Sequence, residues 1–125
     1  MQALREKNGF TQEQLATLLD LRRESLSRIE GGKVALTLPI LQRFSRVVTL
    51  ARAVREHLAW AEARGNLPDP RHLDDLAVAL QLDKAAADEV VLLATMAYDR
   101  KKRETLRSLP AKPLSNSLRS EKVSL

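Results

Sequence analysis

Apolar residues recur at three- and four-residue spacing through most of the chain, the period of helices with one buried face. The clearest run is Leu41, Phe44, Val48, Ala51, Val54, Leu58 and Ala61. No Gly or Pro interrupts residues 40–64, which predicts one long helix or two with a bend near Thr49. Thr37 is placed to cap its start, and Pro39 falls in the first turn, where its missing N–H does no harm. Three shorter helices precede it, over residues 2–8, from Thr11 to about Asp20, and over 23–30. Thr11 and Gln14 have the spacing of a capping box, in which hydroxyl and side-chain amide each satisfy the other residue's backbone N–H. Leu15, Leu18 and Leu19 share one face of the second helix. Leu26 and Ile29, with the aliphatic stem of Arg22, form the inner side of the third. Downstream, Asp69 and Pro70 make an N-cap and first-turn pair for a helix over 70–81. Asp83 caps a last helix over 84–103, whose closing Arg100, Lys101, Lys102 and Arg103 suit a helix C-terminus. The Ser- and Pro-containing residues 106–125 are expected to form a mobile tail. The fold class is therefore all-α.

The chain has 125 residues, enough for one domain or one domain with an appendage. Apolar residues make up 44%, which excludes disorder along the whole length. Cys is absent, which removes disulfides, thiol nucleophiles and Cys-ligated zinc. No apolar run approaches the roughly 20 residues of a spanning helix, and residues 1–7 lack the apolar stretch of a secretory signal. A cytoplasmic protein with no membrane contact is expected. Charge is unevenly spread: net +1 over residues 1–36, +3 over 37–66, −5 over 67–99 and +6 over 100–125. A basic front and a basic tail fit a polyanion met by two parts of the chain, or else solvated helix faces of differing sign.

Residues 11–33 carry the most specific logic. Two short helices are joined by a tight turn, and the small Ala16 lets the second cross the first closely. Leu15, Leu19, Leu21, Leu26 and Ile29 then form a shared core, which leaves Arg23, Glu24, Ser27 and Arg28 facing outward. That is the pattern of a helix-turn-helix with an exposed second helix. The stretch resembles the helix-turn-helix domain of the phage-repressor-like (Cro/CI, or XRE) family. The matching features are Thr11 and Gln12, Leu15 and Ala16, the run Leu26, Ser27, Arg28, Ile29, Glu30, and Gly32 with Lys33. Thr37, Leu38, Leu41 and Phe44 resemble the family's fourth helix. The likeness covers about residues 2–50. Asp20 stands where the family usually has Gly, and Arg22 where it has a Ser or Thr cap. Val34, Ala35 and Leu36 follow Lys33 where relatives tend to be polar, which weakens the expected phosphate clamp and leaves room for an apolar contact. The first helix is about two turns short: either the start lies upstream or the domain holds with less core.

The resemblance implies a lambda-repressor-like domain over 1–50, of five helices completed by the start of the long one, and a C-terminal helical extension over 51–105. It implies sequence-specific binding of double-stranded DNA in transcriptional control, as a repressor and homodimer, in the nucleoid of a prokaryote or in a phage. Arg23, Glu24, Ser27 and Arg28 become the base-reading candidates, against a salt-bridged helix face with Glu24 and Arg28 as an i,i+4 pair. Gln12, Arg22, Lys33 and Arg43 become the phosphate candidates. The basic residues 100–103 either touch DNA backbone or cap their helix. The apolar stripe of the long helix is core against the later helices, or in part a homodimer seam. An antitoxin-like protein, binding a toxin-like partner through 51–105, is the alternative.

Signals for catalysis are poor. His57 and His72 are the only histidines and lack metal-ligand spacing. Gly31, Gly32 and Lys33 lack the first Gly and the Ser/Thr of a phosphate loop. Asp74 and Asp75 are adjacent and diverge on a helix. No enzyme, cofactor or metal site is expected.

Overall fold

The computed structural model describes residues 1–108 and is helical throughout, with no strand among them. Its elements are α1 (Gln2–Lys7), α2 (Gln12–Leu18), α3 (Arg23–Glu30), α4 (Leu38–Ala63), α5 (Pro70–Ala79) and α6 (Lys84–Ser108). The expected tail is outside the described residues from 109 on, and its first three positions, 106–108, belong to α6.

Local chemistry explains the boundaries. At the start of α2 the Thr11 hydroxyl accepts from Gln14 N–H at 3.1 Å, and Thr11 N–H donates to Gln14 Oε1 at 2.9 Å, so the capping box is complete. Asp69 and Asp83 likewise accept from Arg71 N–H and Ala86 N–H. Thr37 holds the N-cap position of α4 but makes no side-chain cap bond. The first five helices stop the same way. One residue turns left-handed, and its N–H and that of the following residue reach back to the last carbonyls. At the end of α2 that residue is Asp20, with φ 59°. Its N–H donates to Thr17 O at 3.1 Å and that of Leu21 to Ala16 O at 2.8 Å. At the end of α5 it is Gln81, with φ 61°, which stops the helix two residues before the predicted 81.

Three expectations are corrected. The long segment is one helix without a bend at Thr49, whose hydroxyl donates back to Ser45 O inside the helix. Because nothing interrupts it, the amino-terminal half has four helices and not five, and α4 passes through residue 50 into the second half. The last helix does not end at 103. Lys, Arg, Glu and Leu are all good helix formers, and it continues to Ser108.

The interior is a single cluster that runs from Phe10 through Leu15, Leu26, Phe44, Val47, Val54 and Leu73 to Val90 and Ala94. α6 lies along α4 in the most extensive helix contact. Arg43 pairs with Asp83 at their starts and Glu62 with Lys102 further along, so the two run in the same direction. Val47, Ala51, Val54 and Ala61 are all but fully buried within the chain. The stripe is therefore core, and these four residues are not available as a homodimer seam. Leu41, expected to join them, is exposed.

Candidate nucleic-acid interface

The turn at Asp20 sets α3 across α2. Leu26, completely buried, presses α3 down onto Leu15 and Ala16, which are buried in the same cluster. One side of an eight-residue helix is thereby fixed, and the remaining side must face outward. Arg23, Glu24, Ser27 and Arg28 all lie there and are exposed. Glu24 and Arg28 form no ion pair among the described residues, so the solvated salt-bridge reading of this face finds no support. Arg22 is the N-cap of α3 without a side-chain cap bond, because a guanidinium has no acceptor to offer. It is exposed, as is Lys33 just beyond the far end.

The last residue of α3 is held from behind. Arg5 of α1 donates through Nε to Glu30 Oε2 at 2.8 Å and through a second nitrogen to Oε1 at 3.2 Å. Its third donor goes to Phe10 O at 2.9 Å. Gln12 Nε2 also donates to Glu30 Oε1, at 3.0 Å. The two charged side chains are only 9% and 3% exposed. Burial by itself raises the Glu30 carboxyl. The bonds from Arg5 and Gln12 and the charge of Arg5 outweigh that, and the group sits below its ordinary value of 4.5. Three helices thus meet at one carboxylate, which sets the end of α3 relative to the start of α2. In the sequence Glu30 figures only as part of the motif that carries the resemblance, and nothing marked Arg5 as its partner, since charged residues on short helices read as solvent-facing.

The phosphate candidates separate into two kinds. Arg22 and Lys33 are exposed with no ion pair among the described residues. Gln12 spends its amide on Glu30. Arg43 donates through Nε to Leu18 O at 2.7 Å and through Nη2 to Asp83 at 3.3 Å, so its guanidinium braces α4 against the end of α2. After Lys33, Val34 and Leu36 are exposed, as are Leu38 and Leu41 at the start of α4. His57 is a packing residue: its ring lies 5.7 Å from that of Trp60, and its Nε2 accepts from Asp69 N–H at 2.8 Å.

Among the described residues no helix is long and apolar enough to cross a membrane. No curated protein and no solved structure matches the chain. Residues 1–48 match the family model described as helix-turn-helix. That match, on the same residues that carry the exposed α3, supports a DNA-binding transcription regulator; the family is a DNA-binding regulatory one and not an enzyme family. Over its first two-fifths the chain is thus similar to helix-turn-helix domains of the phage-repressor-like (Cro/CI, XRE) type.

Proposed function

We propose that the protein binds a specific double-stranded DNA sequence by laying α3 in the major groove, and that it represses transcription there. The observation that carries this reading is the isolation of Arg23, Glu24, Ser27 and Arg28. All four are exposed on a helix anchored by Leu26 beneath and by Glu30 at its end. In this motif the first turns of the second helix meet base edges. Arg23 and Arg28 suit guanine O6 and N7, Glu24 suits cytosine N4, and the Ser27 hydroxyl can meet a base-edge donor or acceptor. Arg22 and Lys33 flank them toward phosphates, while Gln12 orients Glu30 and Arg43 serves packing. A protein seated on promoter DNA blocks it without any further surface, which is why repression is the simpler reading. Binding as a homodimer on an inverted repeat would place half-sites about 34 Å apart.

Selection from a random duplex pool tests the reading. The full chain is expected to enrich one motif with dyad symmetry; enrichment of nothing beyond the starting pool overturns it. Two variants then divide the roles. Arg28→Ala should weaken the selected site by roughly 5- to 150-fold, the equivalent of about 1–3 kcal/mol, and leave random DNA almost unchanged. Lys33→Ala should weaken both alike and reduce the salt slope by about 1. Equal loss of both DNAs in Arg28→Ala, measured by fluorescence anisotropy, removes its base-reading role.

A second reading, an antitoxin-like protein, is favoured by one observation. Val78 and Leu92 are exposed on α5 and α6 beside the acidic Asp74 and Asp88, and Met96 is exposed one turn beyond Leu92. A chain that stays monomeric alone, and binds its DNA tightly only with the product of a neighbouring gene, would support it.

A further inference from the structure

The basic run of α6 has lost its simplest explanation. A cation stabilises a helix end only within the last turn, and α6 continues past residue 103 to Ser108. Lys102 is accounted for by its pair with Glu62 of α4. Arg100 and Lys101 are exposed and enter no ion pair among the described residues. Their position is set by Gly9. α6 packs so tightly on the turn between α1 and α2 that a Cβ at Gly9 would lie 2.5 Å from Ala97 Cβ and 3.3 Å from a terminal nitrogen of Arg100. A groove of about 600 Å³ opens at this junction. Lys7 stands on its α1 wall and Arg100 and Lys101 on its α6 wall, with Arg55 at the side, bonded to Asn8. Glu6, also on the groove, is engaged by Arg5 and Gln2. Glu104 stands on the α6 wall as well, so the lining sets five cations against two carboxylates and keeps a net charge of +3, with Lys7, Arg100 and Lys101 outside any ion pair among the described residues.

We propose that this groove is a second DNA contact, which grips the sugar–phosphate backbone flanking the half-site read by α3. It rests on the reading that α3 faces duplex DNA. Gly9 is three residues from Gln12, at most about 11 Å along the chain, and Gln12 is bonded to the end of α3. The unpaired cations come from the two helices that meet at that turn, which puts them near the end of α3. Flexible lysine and arginine side chains suit phosphates, which carry charge and no base information. The C-terminal extension thereby supplies affinity while α3 supplies choice of sequence.

The test uses the full chain with the selected operator, a random duplex of the same length, and an operator trimmed to the half-sites. Affinity is followed by anisotropy from 50 to 300 mM salt. For the double variant Arg100→Gln/Lys101→Gln, the slope of log K against log salt should fall by roughly 2, at about 0.9 per lost phosphate contact. Operator and random duplex should lose affinity by the same factor, and the trimmed duplex should lose almost none. Lys7→Gln, on the opposite wall, should lower the slope by about 1. A wild-type chain that binds no duplex overturns the functional reading and this contact with it. A wild-type chain that binds normally, with unchanged slopes in both variants, overturns the contact alone. So does a loss confined to the operator, or one that persists on the trimmed duplex.

Discussion

Replacing Arg5 by methionine is expected to cost the fold about 3–5 kcal/mol, measured by urea unfolding, because it strands the Glu30 carboxylate in a buried site. The side chain of Glu30 is 3% exposed and keeps only the Gln12 amide as partner once the guanidinium is gone. Phe10 O loses its donor as well. Against a total stability of about 5–15 kcal/mol for a domain this is a large share. Removing both charges should be far milder: Arg5→Met with Glu30→Leu is expected to recover most of the loss, since neither partner is left uncompensated. A loss below about 1 kcal/mol in Arg5→Met would mean that the pair is effectively solvated. Acid separates the cases too. The Glu30 carboxyl is held below 4.5 in the folded chain. Its contribution is complete above that value and is lost as pH falls through the lower, folded-state value. The stability gap between the wild type and the doubly neutral variant should therefore narrow on acidification below 4.5.

Gly9→Ala is expected to cost about 2–5 kcal/mol. Part is backbone strain, since φ is +80° and a left-handed non-glycine residue costs about 1–2 kcal/mol. The rest is collision with Ala97, whose Cβ sits on a packed helix and has no freedom to swing away. Forcing an extra carbon into such a contact costs about 1–3 kcal/mol. A double-mutant cycle with Ala97→Gly separates the two terms. The steric part should disappear as a coupling energy, and the strain should remain. Additive losses would show that α6 does not rest on this turn.

These two sites also mark where reading the sequence ends. The helix-turn-helix was legible because its signals are local. Thr11 and Gln14 cap one another, Leu15 and Leu26 bury one face each, and Asp20 is among the few side chains that tolerate the left-handed turn. Gln81 adopts the same conformation with no such signal, since a long amide side chain gives no local sign of a left-handed turn. Periodicity marked one face of α4 as buried but not what covers it, and only α6 lying alongside turned the stripe into core. Charge behaves similarly. Arg5, Glu30 and Arg43 look like surface residues in one dimension, and their bonds span about 25 residues of chain. The outward set on α3 was foreseeable because exposure needs no partner.

The continuity of α4 has a consequence for how the two halves of the chain can be exchanged. A rigid rod of 26 residues, about 39 Å long, leaves no joint at which one half can reorient on the other. Inserting a single residue near position 50 would rotate everything beyond it by about 100° and sever the fit of α6 against the Gly9 turn. Chimaeras that splice this extension onto another DNA-reading unit should succeed only when the splice keeps the helical phase, so evolution and engineering alike are limited to whole-turn steps here.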